Sequence, residues 1–446
     1  MAIEDDVTVI GGGLAGMTAA LAAAREGAAV RVLSHKDSTL RSASGLVDVL
    51  GYLPEESATE REPGPLADPF EAIPDLPERH PYRTVGPEGV REGLALFDDV
   101  VGDRYRGGHT DRNALVPTHG GTVKPTARYP ASVAPGLASD DRPVLLVGFE
   151  TVPDLDAPLA ADHLRAAGVP FPVRGVTVRF PGGFRADAAR TRLADALDAN
   201  ERVTVGDGAG PYSESLPIRR ALAETVKEHL GDAERVGFPA LLGEHETGDV
   251  LADLGAELGA AVFEVPTGPP SLPGMRLEGA LRAACREAGV RFTTGNPVVD
   301  FETEGGAGGS APDSVAAVRV ERNGAAIPFR ADQFVLATGG LVGKGVESDR
   351  DRVREPVFDC RVPHPDDRYD WSADRAFGDH AFARFGVETD GKLRPLDRAG
   401  DPEFRNLRAA GAVLGGYDFA AEQSGSGVSL ATGLAAGRRA ALEATR

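Results

Sequence analysis

Cysteine is nearly absent from this chain of 446 residues, which contains only Cys285 and Cys360. Two thiols are too few for a disulfide framework, a four-thiolate zinc site or an iron–sulfur cluster with its usual cysteine ligands. We therefore expect a reducing, cytoplasmic setting, and we predict no metal site in this chain.

Long apolar runs and a basic leader are also missing. Charged residues or proline interrupt the apolar stretches well before the length of about 18 residues that a membrane span requires. Residues 1–6 are acidic, whereas a secretory leader begins with basic residues. The sequence therefore predicts a protein without a membrane span or an export signal.

Positive charge is scarce as well. Lys and Arg total 48 against 68 Asp and Glu, which gives a formal net charge of -20. A field of this sign repels nucleic-acid backbones and anionic lipid surfaces, so we expect neither as a direct partner. Only five basic residues are lysines, and aromatic residues make up 6%. This composition resembles proteins from a salt-rich cytoplasm, and a GC-rich genome is the alternative explanation.

The first 33 residues have the pattern of a βαβ unit. An apolar run, residues 7–10, leads into a glycine turn and an alanine-rich helix, and a second strand follows over residues 28–33. Gly11, Gly13 and Gly16 fit G-x-G-x-x-G: the first permits the tight turn, the second a close approach of backbone to a pyrophosphate, and the third close helix–strand packing. This context favours a nucleotide site over a purely structural turn.

Ser34 stands where such units usually carry an acidic residue for an adenosine ribose. FMN has no second ribose and does not need that carboxylate, whereas FAD loses one contact that Ser34 replaces with a weaker bond. The residues alone leave the two cofactors open.

The rest of the chain predicts at least one further domain, since domains average about 150 residues. Residues 54–92 lack a sustained period and are predicted as loops, with a domain exit near residue 60. From residue 143 strands and helices alternate, until the proline-dense residues 265–274 interrupt regular structure. The elements predicted in these parts are a strand at 144–148, helices at 188–200, 218–230 and 277–287, a strand at 290–292, a hairpin of 315–320 with 325–329, and a surface turn at 305–310.

Two later glycine-rich stretches have the same kind of pattern as the first. Residues 334–340 are a buried strand that ends in Gly339-Gly340, and residues 409–416 end in Gly415-Gly416. The following residues, 425–438, form a loop and a small-residue helix whose N-terminus can face an anion or an electron-rich ring edge. We expect the three stretches to converge around one flat ligand.

These stretches together resemble those of two-domain flavoprotein oxidoreductases. More specific strings, at residues 42–48, 80–82, 266–277, 354–356, 385–387 and 393–395, resemble the B subunits of anaerobic glycerol-3-phosphate dehydrogenases over nearly the full length. The resemblance implies an α/β, Rossmann-like fold with a discontinuous flavin-binding domain and an inserted α+β substrate or cap domain. The expected segments are 1–60, 272–345 and 402–446 for the flavin domain, 61–271 for the cap, and 346–401 for a second cap or interface segment.

The resemblance also implies a function. In that family the flavin of these B subunits is taken to be FMN, with FAD as the alternative. The expected partners are a larger FAD-bearing catalytic subunit and an iron–sulfur subunit that anchors the complex at the cytoplasmic face of the membrane. The complex oxidises sn-glycerol 3-phosphate to dihydroxyacetone phosphate and passes electrons to quinone.

The candidate flavin-side residues are mostly small. Asp418 is included because it could bond a ribityl hydroxyl, although a loop cap is an equal alternative. The full set is Gly11, Gly13, Gly16, Ser34, Ser42, Ser44, Gly45, Gly339, Gly415, Gly416, Asp418, Gly427 and Thr432.

The candidate catalytic residues are His80, His119 and Arg276, because oxidation of a phosphorylated alcohol needs a base and cations. Arg276 is expected to clamp a phosphate or the cofactor, with an ion pair to Glu278 or another acid as the alternative. His119 belongs to a basic group with Lys124 and Arg128. The remaining candidates are His364, as a base or a structural residue, and Cys285, as a core residue.

Two other functions stay open at this level. One is a fumarate-reductase-like flavin reductase of a small carboxylate. The other is a non-catalytic assembly subunit whose nucleotide site has decayed.

Overall fold

The secondary structure is given by a computed structural model, which describes residues 3–54, 57, 64–185, 187–205, 214–305, 313–376 and 378–444. The helices in these ranges are α1 Leu14–Arg25, α2 Pro81–Val101, α3 Ala157–Ala166, α4 Arg190–Asp198, α5 Ile218–Lys227, α6 Thr247–Leu258, α7 Leu272–Glu287, α8 Phe419–Glu422 and α9 Gly425–Ala444. The strands are β1 Ile3–Ile10, β2 Val30–Ser34, β3 Tyr105–Arg106, β4 Ala114–Pro117, β5 Val123–Thr126, β6 Tyr129–Pro130, β7 Val144–Phe149, β8 Val173–Val178, β9 Arg202–Val205, β10 Glu214–Pro217, β11 Arg235–Pro239, β12 Ala261–Val265, β13 Arg291–Thr294, β14 Val298–Glu304, β15 Ser314–Arg322, β16 Ala325–Leu336, β17 Glu347–Ser348, β18 Val353–Arg354 and β19 Leu407–Ala409.

The chain divides into two units. The first comprises Met1–Thr39, Asp48–Gly102 and Gly279–Arg446, and the second comprises Leu40–Val47 and Asp103–Glu278. The predicted flavin-domain segments differ from the first unit mainly at residues 61–102 and 346–401, which belong to this unit by their contacts. The assignment of flavin-binding and cap roles to particular segments stays a prediction.

The first unit is built on a sheet of order β13-β2-β1-β16-β15-β14, with β19 also paired to β16. Strand β1 runs parallel to both β2 and β16, and β16 runs parallel to β19. Val7 and Val9 of β1 are fully buried. The parallel arrangement places the carboxyl ends of β1, β16 and β19 at one edge, and each of these strands leads into one of the glycine stretches.

Small residues allow the helices of the first unit to pack closely. A Cβ on Gly433 of α9 would lie 2.6 Å from the carbonyl oxygen of Ala15 in α1, and one on Gly437 would overlap the carbonyl oxygen of Ala19. A Cβ on Gly93 of α2 would lie 2.9 Å from the amide nitrogen of Ala431. Glycine at these positions therefore lets α9 pack against both α1 and α2.

The second unit contains a parallel four-stranded sheet of order β12-β11-β7-β8 and short antiparallel pairs, β3 with β6, β4 with β5, and β9 with β10. Alternate residues of β7 face opposite sides of the sheet. Leu145 and Val147 belong to a core cluster with apolar residues of α4, α5 and α6, whereas Val144 and Leu146 belong to one with residues of α3. Helices thus cover both faces.

The structure corrects part of the predicted loop region, residues 54–92. From Pro81 onward the chain is helical, because the His80 side chain accepts a bond from the Tyr82 amide and Pro81 fits the first turn. Gly86, with a φ of +72°, interrupts the helix before Pro87. This interruption explains why the apolar residues of this region show no sustained helical period. The predicted exit near residue 60 lies outside the described residues.

Most other predicted elements are confirmed within a few residues, including the strand at 144–148 and the hairpin that β15 and β16 form. The prediction for the proline-dense residues was wrong at their end, since α7 begins at Leu272 and accommodates Pro273 in its first turn. The turn at 305–310 falls outside the described residues from 306 onward. None of the described helices is both long and apolar enough to cross a bilayer.

Candidate nucleotide-binding site

The turn between β1 and α1 has the geometry that its glycines predict. Gly11 adopts a φ of +122°, and a Cβ there would overlap the carbonyl oxygen of Ala337. A Cβ on Gly16 would overlap the carbonyl oxygen of Gly11. A side chain is therefore excluded at Gly11 by the second glycine stretch and at Gly16 by the turn itself.

Gly13 differs from its neighbours because a Cβ there would have no described atom within 4 Å. Gly13 is also the N-cap of α1, and no described side chain caps this helix terminus. The first amide groups of an α-helix lack intrahelical partners and carry partial positive charge. The turn thus combines open space with unpaired N–H donors, which are the two features needed by a bound phosphate.

The three glycine stretches lie in direct contact, so their predicted convergence is confirmed. The amide of Ala337 donates to Ile10 O at 2.8 Å, and the amide of Ala410 donates to Leu336 O at 2.9 Å. A Cβ on Gly340 would lie 2.7 Å from Ala412 O. All three stretches meet at the carboxyl edge of the first unit's sheet.

Several candidate flavin-side residues have roles within the protein. Thr432 Oγ1 donates to Val428 O at 2.5 Å and accepts the Gly411 amide at 2.9 Å, so it joins α9 to the last glycine stretch. Asp418 Oδ1 accepts the amides of Ala420 and Ala421 at 3.0 Å, which is the capping role named as its alternative.

The backbone accounts for the other glycines of this unit. The Gly427 amide donates to Asp48 O at 2.7 Å. Gly339 and Gly416 adopt φ values of +88° and +85°, and a Cβ on Gly415 would lie 2.8 Å from Gly386 O.

Ser34 makes a local bond rather than a long-range one. Its Oγ donates to Lys36 O at 2.9 Å, and the residue is buried. The hydroxyl proton of Ser34 is therefore already donated to the backbone. Only the lone pairs of its oxygen remain, and these could accept a hydrogen bond from a ribose hydroxyl.

Ser42, Ser44 and Gly45 belong to the second unit, unlike the other flavin-side candidates. Ser44 Oγ accepts the Leu46 amide at 3.3 Å. Gly45 has a φ of +79°, and a Cβ there would lie 2.6 Å from Pro273 Cβ. This turn packs closely on the proline-dense segment.

His80 is fully buried, and both ring nitrogens are engaged. Nδ1 accepts the Tyr82 amide at 3.0 Å, so the proton of the neutral ring lies on Nε2, which donates to Glu422 Oε2 at 3.0 Å. Ser424 Oγ donates to the same carboxylate oxygen at 2.9 Å. His80 thus belongs to a buried polar network at the start of α9.

Arg276 forms a buried ion pair in the second unit. Its guanidinium donates to Glu264 at 2.6 and 2.9 Å and to Gly243 O. Burial raises the pKa of Glu264, but the charge and hydrogen bonds of Arg276 outweigh this effect and lower the pKa. The expected ion pair therefore forms with Glu264, whereas Glu278 lies 3.8 Å from Arg41.

The other candidates have ordinary contacts. His119 Nδ1 donates to Pro266 O at 3.0 Å in the second unit, while His364 packs against Trp371 and Phe385. Cys285 is confirmed as a core residue, because it is buried and burial raises the pKa of its thiol to about 12. Among the described residues, no His, Cys, Asp and Glu side chains group as a metal site.

Sequence reasoning missed two hydroxyls and one arginine. Thr338 Oγ1 and Tyr417 Oη are buried atoms with no hydrogen-bond partner among the described residues, and both directly adjoin predicted glycine pairs. Arg190 donates to Thr267 Oγ1 at 3.1 Å and to Pro270 O at 2.9 Å, so it fixes the proline-dense segment. A polar residue beside a glycine turn is the sequence signal that could have identified the hydroxyls.

These residues fit a flavin nucleotide. The opening at Gly13 and the uncapped start of α1 suit phosphate groups. The unpartnered hydroxyls of Thr338 and Tyr417 suit the polar atoms of a ring or ribityl chain, since a buried hydroxyl without a partner destabilises the fold by about 1–3 kcal/mol.

The family model and the sequence relatives of this chain agree with this assignment. The model of the FAD binding domain family matches residues 6–428. The chain is 63% identical over 441 residues to the B subunit of a probable anaerobic glycerol-3-phosphate dehydrogenase from Halobacterium salinarum, covering 99% of each chain. It is 31% identical over 445 residues to the anaerobic glycerol-3-phosphate dehydrogenase B subunit from Yersinia pestis, covering 95% of each. A solved flavocytochrome c3 fumarate reductase aligns with 100% of this chain and 79% of its own, at 12% identity and a TM-score of 0.44.

Fold, glycine stretches and family match together define a Rossmann-like two-domain flavoprotein oxidoreductase with a discontinuous flavin-binding domain, as predicted. Within this class, the chain belongs to the family of anaerobic glycerol-3-phosphate dehydrogenase B subunits.

Proposed function

We propose that this chain is the flavin-bearing subunit of a quinone-linked anaerobic glycerol-3-phosphate dehydrogenase. The proposed complex converts sn-glycerol 3-phosphate to dihydroxyacetone phosphate. The observation that carries the proposal is the start of α1 at Gly13. No described side chain caps this helix terminus, a Cβ there would have no described atom within 4 Å, and the three glycine stretches lie together at this edge of the sheet. The proposed substrate is taken from the names of relatives that match nearly the whole chain.

We infer that the bound flavin is FAD. A dinucleotide carries a pyrophosphate, and the turn at Gly13 offers the open backbone approach that a pyrophosphate requires. Ser34 supplies a hydroxyl where a carboxylate would bind the ribose more strongly. FMN, the cofactor expected from the resemblance, is the alternative outcome of the cofactor analysis below.

The proposed partners are an FAD-bearing catalytic subunit and an iron–sulfur subunit. Two cysteines, both buried, cannot ligate a cluster with cysteine alone. Electrons that leave the flavin therefore need an acceptor on another chain. The iron–sulfur subunit would also hold the complex at the cytoplasmic face of the membrane.

A bound flavin supplies an acceptor for a hydride or for single electrons. The catalytic roles of His80, His119 and Arg276 remain proposals, and two of these side chains already bind buried carboxylates. This engagement favours a second candidate, a subunit that relays electrons or assembles the complex without turning over substrate.

The cofactor is tested by releasing it with heat from the purified chain and identifying it by chromatography. We expect one flavin per chain, with absorbance at about 450 nm before release. A folded, colourless protein would support the assembly role instead.

The reaction is tested by co-expression with the proposed partners. Glycerol 3-phosphate should reduce an electron-accepting dye through the complex. Turnover of fumarate in place of glycerol 3-phosphate would contradict the proposal and support the carboxylate reductase.

A further inference from the structure

A basic cleft opens in the second unit at the carboxyl end of β8. Its volume is about 1220 Å³, and residues 179–185, directly after β8, form much of its wall together with parts of β9 and α4. Strand β8 is an edge strand of the sheet of order β12-β11-β7-β8. The cleft therefore lies beside the sheet edge and not at the switch point between β7 and β11, and its assignment as a binding site rests on its charge and lining.

The charge of the cleft is opposite to that of the protein. Acidic residues outnumber basic ones in the chain by 68 to 48, whereas the cleft has four arginines and two acids. The charged lining residues are Arg179, Arg185, Arg192, Arg202, Asp187 and Glu201. A local excess of cations against a field of the opposite sign is what an anion site in this protein requires.

The two acids form ion pairs with two of the arginines. Arg185 Nε lies 2.9 Å from Asp187 Oδ1, and Arg192 lies 2.9 Å from Glu201. The Arg192 guanidinium also lies 5.1 Å from the centre of the Phe184 ring. These two arginines are therefore each paired with an acid of the same cleft.

The other two arginines have no carboxylate partner among the described residues. Arg202 donates to Ser215 Oγ at 3.2 Å and to the Ser215 carbonyl oxygen, which leaves N–H groups available. Arg179 is exposed and makes no hydrogen bond or ion pair with any residue that the structure describes. The net positive charge of the cleft therefore comes from Arg179 and Arg202.

The remaining lining is mostly apolar, with Thr204 and Thr225 as its uncharged polar residues. Phe180 is only 2% exposed, and Gly182 adopts a φ of +95° beside Phe184 and Val203. A Cβ on Gly182 would lie 3.0 Å from each of those two side chains. The cleft thus offers a short carbon chain an apolar contact next to the arginines.

We propose that this cleft is a binding site for small phosphate monoesters. Arginine forms bidentate, charge-assisted hydrogen bonds with phosphate oxygens, and the donors of Arg179 and Arg202 are available for them. The short carbon chain of the ester lies against Phe184. The choice of a three-carbon ester as ligand rests on the proposed function, whereas the charge and shape of the cleft do not.

The test is isothermal titration of the full-length, flavin-loaded protein with sn-glycerol 3-phosphate, at one fixed salt concentration. Inorganic phosphate and glycerol are the comparison ligands. We expect saturable binding of one ester per chain and none of glycerol. Arg179→Gln with Arg202→Gln should weaken ester binding by about tenfold or more, because neutral amides replace the two exposed charges that would bind the phosphate.

Arg112→Gln is the matched control, because Arg112 is an exposed arginine of the same unit that is not part of the cleft lining. It should bind the ester as the unchanged protein does. If Arg202→Gln disturbs the β9–β10 pair, Arg179→Gln alone tests the site, since its exposed side chain supports no described contact.

Unchanged affinity in the cleft variants, an equal loss in Arg112→Gln, or binding of inorganic phosphate without the ester would overturn the proposal. Flavin content is measured on the same samples, and dye reduction is measured on the complex formed by co-expression with the partner subunits. A chain without flavin, or a complex without turnover, would refute the proposed function, while the binding isotherm would still decide the cleft.

Discussion

Replacing Gly13 by valine should abolish flavin retention while leaving the protein folded. The backbone tolerates a side chain here, because Gly13 has an extended conformation with φ of -84°. A Cβ would meet no described atom within 4 Å. The valine would instead fill the space in which a phosphate approaches the start of α1.

The expected loss follows from the bonds that the valine blocks. Two hydrogen bonds from helix N–H groups to an anionic phosphate contribute about 3–6 kcal/mol together, or roughly two to four powers of ten in Kd. Valine is a poorer N-cap than glycine, which destabilises the fold by about 1 kcal/mol. The Tm of the flavin-free protein should therefore fall by no more than about 4 °C.

The assay is the flavin fluorescence released per chain after gel filtration, with circular dichroism melts of the flavin-free proteins. Gly391→Val is the control, because Gly391 is exposed in the same unit and a Cβ there also meets no described atom within 4 Å. Gly16→Ala provides the contrast, since its Cβ would overlap Gly11 O and should prevent folding. Full flavin retention by Gly13→Val, or equal loss by Gly391→Val, would refute the reasoning.

Three further predictions concern buried polar groups. Tyr417→Phe should leave the Tm of the flavin-free protein unchanged or higher, because it removes a buried hydroxyl without a partner among the described residues. It should also shift the reduction potential of the bound flavin. An unchanged potential would show that Tyr417 does not contact the flavin. Burial raises the pKa of Glu355 from 4.5 to about 7, so the folded state binds more protons than the unfolded state between these values, and the free energy of unfolding should fall as pH rises through this window. Urea titrations should show a flatter pH dependence in Glu355→Gln, and an equal slope would contradict the assignment. Arg276→Met should destabilise the protein by about 3–5 kcal/mol, and Glu264→Gln in the same chain should restore much of this loss; additive losses in a double-mutant cycle would argue against the pair.

The first glycine turn was predictable because its determinants are local. The tight turn at Gly11 and the close approach at Gly16 follow from glycine spacing between a strand and a helix, within six residues. The convergence of the three stretches was predictable for a related reason. Each stretch follows a buried strand, and parallel strands end at the same edge of a sheet.

Helix α2 shows where local reasoning fails. Gly86 and Pro87 interrupt the apolar period near its start, so the sequence pattern resembles a loop. The helix is nevertheless stabilised by packing against α9, whose small residues come more than 300 positions later. Tertiary contacts of this kind outweigh local propensity.

The partners of the candidate catalytic residues could not be predicted either, because tertiary contacts also determine them. Glu422 lies 342 residues from His80 in the chain, and no periodicity connects the two. Glu264 is only 12 residues from Arg276. The irregular, proline-dense segment between them, however, makes the relative orientation of the two side chains unpredictable from the sequence. The unpartnered hydroxyl of Tyr417 is likewise a property of packing.

Arg276, the one arginine among the candidate catalytic residues, forms its ion pair with the buried carboxylate of Glu264. Anion binding must therefore use other groups. The start of α1 offers neutral N–H donors in a sheltered turn, whereas the cleft beside β8 depends on the exposed charges of Arg179 and Arg202. Salt screens exposed charges more effectively than buried ones, and the Debye length falls to about 3 Å at 1 M. Raising the salt concentration should therefore weaken phosphate-ester binding in the cleft while flavin content stays constant. Equal salt sensitivity of the two would show that exposed charges also hold the flavin.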